Sequence, residues 1–221
     1  MTFSDNNDSN AKLVACLAAS VILIVFSHNY LDTRIAGFFG EMLRQNKLMS
    51  TYASDIPDML LPVAILCTVT SWTAYLWLVR KGVVSPLESF FQLVGWTVPL
   101  SYILKTALKD LFGKVTTRAW LANHELYGFH WFGGEWRFDG FPSGHMAVFT
   151  VLALAVWRFF PCYRYVCVSL LLLLAASLIV TSYHFLSDVV AGALLGYLIH
   201  AVVCNYLFSR EKNKTGPPSP G

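Results

Sequence analysis

Residues 165–207 read YVCVSLLLLLAASLIVTSYHFLSDVVAGALLGYLIHAVVCNYL. Its two apolar runs, 165–183 and 185–207, each have the roughly 20 residues a helix needs to cross a bilayer. Between them sit His184 and, one turn on, Asp188. Neither run carries the wide polar face of a helix on a soluble domain. The stretch is read as two spanning helices joined by a tight turn that bears ionisable groups.

Working outward, further apolar runs lie at about 11–27, 58–79, 88–108 and 143–160. The 221 residues are 56% apolar and 13% charged, whereas a soluble domain carries about 25% charged residues. That deficit excludes a water-soluble enzyme, and 15% aromatics exclude disorder. The net charge of +3 is too small to point to nucleic acid. The expectation is an all-α integral membrane protein, a six-transmembrane-helix bundle with an outer interfacial helix and one long outer loop. Residues 1–10 form a polar N-terminal segment without the features of a secretory signal, 11–208 a single membrane domain, and 209–221 a disordered cytoplasmic tail.

Lys and Arg divide evenly, with Lys12, Arg80, Lys81, Arg158, Arg164, Arg210, Lys212 and Lys214 on the side of the termini. Arg34, Arg44, Lys47, Lys105, Lys109, Lys114, Arg118 and Arg137 lie on the other side. The tight turns at Arg80-Lys81 and Arg158–Arg164 hold basic residues and no acid, which places both termini in the cytoplasm. Cys16, Cys67, Cys162, Cys167 and Cys204 form no CxxC pattern and read as apolar filler. Residues 33–49 have Ile35, Phe38, Phe39 and Met42 at helical spacing, the signature of an interfacial helix. Residues 109–142 form a long loop holding Phe129, Trp131, Phe132, Trp136, Phe138 and Phe141, rings that suit a lipid entrance or an interfacial anchor. His124 and His130 in this loop are a weak metal pattern.

Ionisable groups at the rim of a span mark function, and the outer ends of the last four spans collect them. Lys105, Lys109 and Lys114 follow the third span, His145 opens the fourth, and His184 and Asp188 open the sixth. Lys105 by itself is explained by snorkelling. His184 and Asp188 share a helix face, so the carboxylate can fix the tautomer and leave the other ring nitrogen free to attack. In Phe141-Pro142-Ser143-Gly144-His145, Ser143 suits an N-cap, and Gly144 lets a ligand approach the backbone of a helix start that attracts anions. Cations, a helix start and a His–Asp pair suit a phosphate held against a nucleophile. The residues alone leave open which histidine attacks.

These motifs resemble the phosphatidic acid phosphatase type 2 / haloperoxidase superfamily, in its membrane-bound lipid phosphatase branch. Of its patterns K-x6-R-P, P-S-G-H and S-R-x5-H-x3-D, the second is complete as Pro142-Ser143-Gly144-His145. The third appears as Ser177 with His184 and Asp188, and the first supplies Lys109. The resemblance implies His184 as the nucleophile that becomes phosphohistidine, Asp188 as its orienting group and His145 as the general acid. It also implies Lys109, Ser143 and Gly144 as phosphate binders, with no metal or cofactor. The implied partner is a membrane lipid phosphate or polyprenyl diphosphate, met on the non-cytoplasmic face of a bacterial-type inner or plasma membrane.

Two family arginines are replaced, by Thr116 before Thr117 and by Leu178. Losing two charge-assisted contacts costs about 3–6 kcal/mol, or on the order of 10²–10⁴ in rate. Lys114, Arg118 and Arg137 are the candidates to replace that charge. A lipid-to-lipid phosphotransferase and a non-catalytic lipid-phosphate-binding member are the alternatives.

Overall fold

The computed structural model describes residues 3–45, 60–83 and 85–214, with side chains for 14–45, 60–83 and 85–208. The start of the second apolar run, the interfacial helix beyond 45, the tail from 215 and the side chains of Lys12, Lys47, Arg210, Lys212 and Lys214 lie outside the described residues. The described chain is helical, with one isolated β-bridge, Lys114 to Phe129.

The helices are α1 (Phe3–Phe26), α2 (Asp32–Gln45), α3 (Leu60–Arg80), α4 (Pro86–Phe112), α5 (Thr117–Ala122), α6 (Gly144–Phe159), α7 (Arg164–Val180) and α8 (Leu186–Lys214). Among the described residues four stretches are long and apolar enough to cross a membrane: Val14–Gln45, Leu60–Arg80, Pro161–Val180 and Leu186–Phe208. The other two apolar runs form α4, diluted by Gln92, Thr97, Ser101 and Tyr102, and the shorter apolar α6. The expected interfacial helix begins at Asp32 and continues from α1 through a π-helical turn, Ser27–Leu31. The backbone of α8 runs on to Lys214, into the stretch 209–221 read from the sequence as a disordered tail. No proline interrupts the chain there before Pro217.

Helix α4 packs against α3 and α6, and α6 against α8, around Leu93, Val94, Val98, Val148, Val151, Ala155, Ile199 and Val203. On α1 and α7 the outward residues Ile22, Val25, Leu170, Leu172 and Leu173 are exposed, an apolar surface suited to lipid.

Pro99 lies inside α4 and cannot donate to the carbonyl of Gly95. The Trp72 indole of α3 donates to that carbonyl instead, at 3.0 Å. Gly95 admits it, since a Cβ there would stand 3.1 Å from the indole nitrogen. The interruption that proline makes in one helix thus ties it to its neighbour.

Candidate active site

Three helix ends meet at one depth. The last turns of α4 carry Lys105 and Lys109, the first turn of α6 carries Gly144 and His145, and the α7–α8 turn carries Tyr183 and His184. With Leu60, Leu61, Tyr102 and Asp139 they wall a cavity of about 300 Å³. The ring centroids of His145 and His184 are 6.5 Å apart. Tyr183 packs edge-on against both, at 5.6 Å from His145 and 4.9 Å from His184. Burial pushes the His184 imidazole below its ordinary pKa, against the opposing pull of Asp188. Its Nδ1 lies 3.7 Å from Asp188 Oδ2.

Local structure fixes these ends. Ser143 caps α6, its Oγ accepting from the Met146 amide at 3.4 Å, and its own N–H donates to the Asp188 carbonyl at 3.0 Å. Gly192 and Gly196 let α8 lie close on α6, since a Cβ at each would meet Ser143 O at 2.3 Å and Ala147 O at 2.6 Å. Lys109 Nζ donates to the Asp139 carbonyl at 2.7 Å and to its Oδ2 at 3.1 Å. Helix α4 ends at Gly113, left-handed at φ 54° and with its Cβ position blocked by the carbonyl of His130. The bridge that follows turns Lys114 inward.

Lys114 is fully buried, ringed by Phe129, Phe141 and Phe185. Its Nζ donates to Asp32 Oδ2 at 2.8 Å, Ser187 Oγ at 2.6 Å and Asp188 Oδ1 at 2.8 Å. Asp188 Oδ2 accepts from the Phe185 amide at 3.0 Å. Asp32 Oδ1 accepts from the Ser187 amide at 2.9 Å, and Asp32 Oδ2 from the Ser187 hydroxyl.

A family model described as PAP2 superfamily matches residues 91–212, more than half of the chain. The chain belongs to the PAP2 superfamily. A lipid A 1-phosphatase of Rhizobium johnstonii is 29% identical over 119 residues, 51% of this chain and 48% of that protein. A lipid A 1-phosphatase of Rhizobium etli is 30% identical over 118 residues, 51% of this chain and 50% of its own length. The chain therefore spans about half the length of the curated relatives it matches. No solved structure matches it.

Of the residues singled out from the PAP2 motifs, Lys109, Gly144, His145 and His184 share the cavity wall, with Asp188 behind His184. Ser143 lies beneath, its hydroxyl capping α6. Arg118 stacks on Tyr183, its guanidinium 5.2 Å from the ring centroid, and so stands one ring away from both histidines. Two of the candidate residues stand away from the cavity wall. Lys114 was expected to touch phosphate, yet the turn at Gly113 buries it between two carboxylates. Arg137 was expected to do the same, yet it pairs with Glu135 two residues back and is absent from the cavity wall. Lys105, read as a snorkelling residue, lines the cavity, its Nζ 4.3 Å from the Tyr102 ring centroid. His124 packs on Trp120, while His130 contacts the Leu126 carbonyl and Phe138, so the two serve separate packing roles.

The sequence reading passed over Asp32, Asp139, Ser187 and the Gly192/Gly196 pair. Two signals were present: a carboxylate just after an apolar run, and two glycines four apart in a spanning helix.

Proposed function

We propose that this PAP2 protein is a membrane lipid phosphatase working through a phosphohistidine on His184. The observation that carries the reading is the pair of imidazoles on one cavity, His184 backed by Asp188 and Lys105 and Lys109 on the wall. The Nε2 lone pair of His184 forms the N–P bond while the P–O bond to the lipid breaks, and His145 gives a proton to the departing oxygen. Asp188, its Oδ2 3.7 Å from Nδ1, stabilises the cationic ring. Water, deprotonated by His145, then attacks phosphorus, the N–P bond breaks, and inorganic phosphate leaves. Lys105, Lys109 and the backbone at Gly144 bind the phosphoryl oxygens, with Arg118 adding positive charge across Tyr183.

The substrate we favour is a phosphomonoester on a hydroxyl-rich headgroup. A second lobe of about 290 Å³ shares Tyr102, Lys105, Lys109 and Asp139 with the cavity and adds Asp110, Glu135 and Trp136. Its carboxylates repel a second phosphate, which disfavours a diphosphate, and they accept hydrogen bonds from hydroxyls. Trp136, 74% exposed, offers a flat face to a sugar ring. That reading agrees with relatives named for lipid A 1-phosphate.

The experiment is purified protein against lipid A 1-phosphate, phosphatidic acid and polyprenyl diphosphate, with His184→Ala as blank. Phosphate release from lipid A first among the three, with base-stable, acid-labile phosphate on His184, is the expected result. Absence of phosphate from all three and of any phosphoenzyme would overturn it. Label appearing on an added acceptor lipid would make the protein a phosphotransferase.

A further inference from the structure

The segment His28-Asn29-Tyr30-Leu31-Asp32 repeats the H-x3-D spacing of His184–Asp188, 156 residues earlier in the chain. The two aspartates meet on one ammonium, Lys114 Nζ, which lies 2.8 Å from an oxygen of each. Ser187, between them, bonds Asp32 through both its amide and its hydroxyl. Tyr127 closes the far side, its hydroxyl 3.0 Å from His28 Nδ1 and 3.3 Å from Asp32 Oδ2. Asp32, Lys114, Ser187 and Asp188 are all buried, and none of them lines the cavity.

We propose that Asp32 and Lys114 are positioning residues for the His184–Asp188 pair, with Asp32 supplying the negative charge that balances the ring when it turns cationic. The inference rests on the phosphohistidine reading above. Lys114 pins Asp188 Oδ1, and the Phe185 amide holds Oδ2 beside His184 Nδ1. Were Lys114 alone with Asp188, the ammonium would cancel the carboxylate and leave the reacting ring without a counter-charge. Asp32 restores one surplus negative charge to the cluster. It acts from outside the cavity, so it does not repel the substrate's phosphate as a wall residue would. The other charged groups near His184 are Lys109 and Asp139, which pair with each other, Lys105 on the same wall and Arg118 across Tyr183. Tyr183 and His145 face the ring as well.

The test uses the full chain in detergent, carrying Asp32→Asn, Lys114→Met or both. The ring ¹⁵N shifts of His184 are titrated, and hydrolysis of a lipid monophosphate is measured against pH. Neutralising Asp32 moves the His184 titration and the acid limb of kcat/KM down by about one pH unit, and neutralising Lys114 moves both up by a like amount. The double variant, left with Asp188 as its net charge, returns close to wild type. In Asp32→Asn, kcat falls about tenfold or more while KM changes by less than about threefold. A merely structural role lowers activity without opposed shifts, so unmoved titrations, or shifts of one sign in both single variants, overturn the proposal. If Lys114→Met does not fold, Asp32→Asn and the double variant still carry the comparison. Opposed shifts in a protein that hydrolyses no lipid phosphate sink the phosphatase reading and leave the coupling standing. Hydrolysis without those shifts does the reverse.

Discussion

In the proposed mechanism His184 attacks phosphorus only while its ring is neutral, and burial keeps it neutral to lower pH than a free imidazole. The acid limb of kcat/KM is accordingly expected below pH ~6.5, the ordinary histidine value. The sign is fixed by the charge: protonation as pH falls removes the nucleophile, and a depressed pKa delays that loss. A limb above the ordinary value would contradict the burial argument. His145 makes a separate prediction. Replaced by Gln, it should slow release from a lipid alkoxide by about 10²–10⁴, the usual weight of general acid catalysis. In kcat/KM, which reports the first half-reaction alone, an aryl phosphate, whose phenolate leaves without a proton, should lose far less. Equal losses on both substrates would give His145 a role other than proton donor.

Among the elements, α4 tests how a broken helix is repaired. Trp72→Phe removes the donor to the Gly95 carbonyl and should cost about 1–3 kcal/mol of stability. Pro99→Ala, made in that background, returns an amide to the same carbonyl. The double variant should therefore lose less than the two single losses added, measured by thermal unfolding in detergent. Simple additivity would show that the indole does not serve that carbonyl. The same helix marks where sequence reading succeeds and fails. Lys109, His145, His184 and Asp188 were legible because each sits at a helix end, where spacing of three or four residues fixes which side chains share a face. Lys105 was not, because the choice between snorkelling and lining a cavity depends on what α6 brings opposite it. There a Cβ on Gly144 would come within 3.0 Å of the Lys105 chain. The placement of Lys114 was hidden for a related reason: its inward direction is set by one left-handed residue, Gly113, and by a bridge to Phe129.

For the molecule as a whole, the cavity and the α6–α7 turn lie at opposite ends of α6. Cys162 in that turn is exposed, as is Trp136 beside the cavity. A Trp136→Cys variant lacking the native cysteines should react with an impermeant maleimide from one face of the membrane. Native Cys162, kept alone, should react from the other, and right-side-out vesicles should label the first. Labelling of both from one side would refute a spanning α6. All-helical architecture and apolar belts were plain from composition, since every backbone group inside a bilayer must be paired within its own helix. The contact between Asp32 and Ser187, 155 residues apart, left no periodic trace to read.

The π-helical turn Ser27–Leu31 sets the rotation at which Asp32 enters the bundle. One residue deleted there would swing the carboxylate through about 100° of helical rotation. The stretch that defines the superfamily opens at residue 91. A fragment trimmed to it would keep both imidazoles of the cavity and leave behind one of the two carboxylates that grip Lys114. An inactive fragment of that kind would testify to the missing α1, α2 and α3, and would say nothing against the full chain.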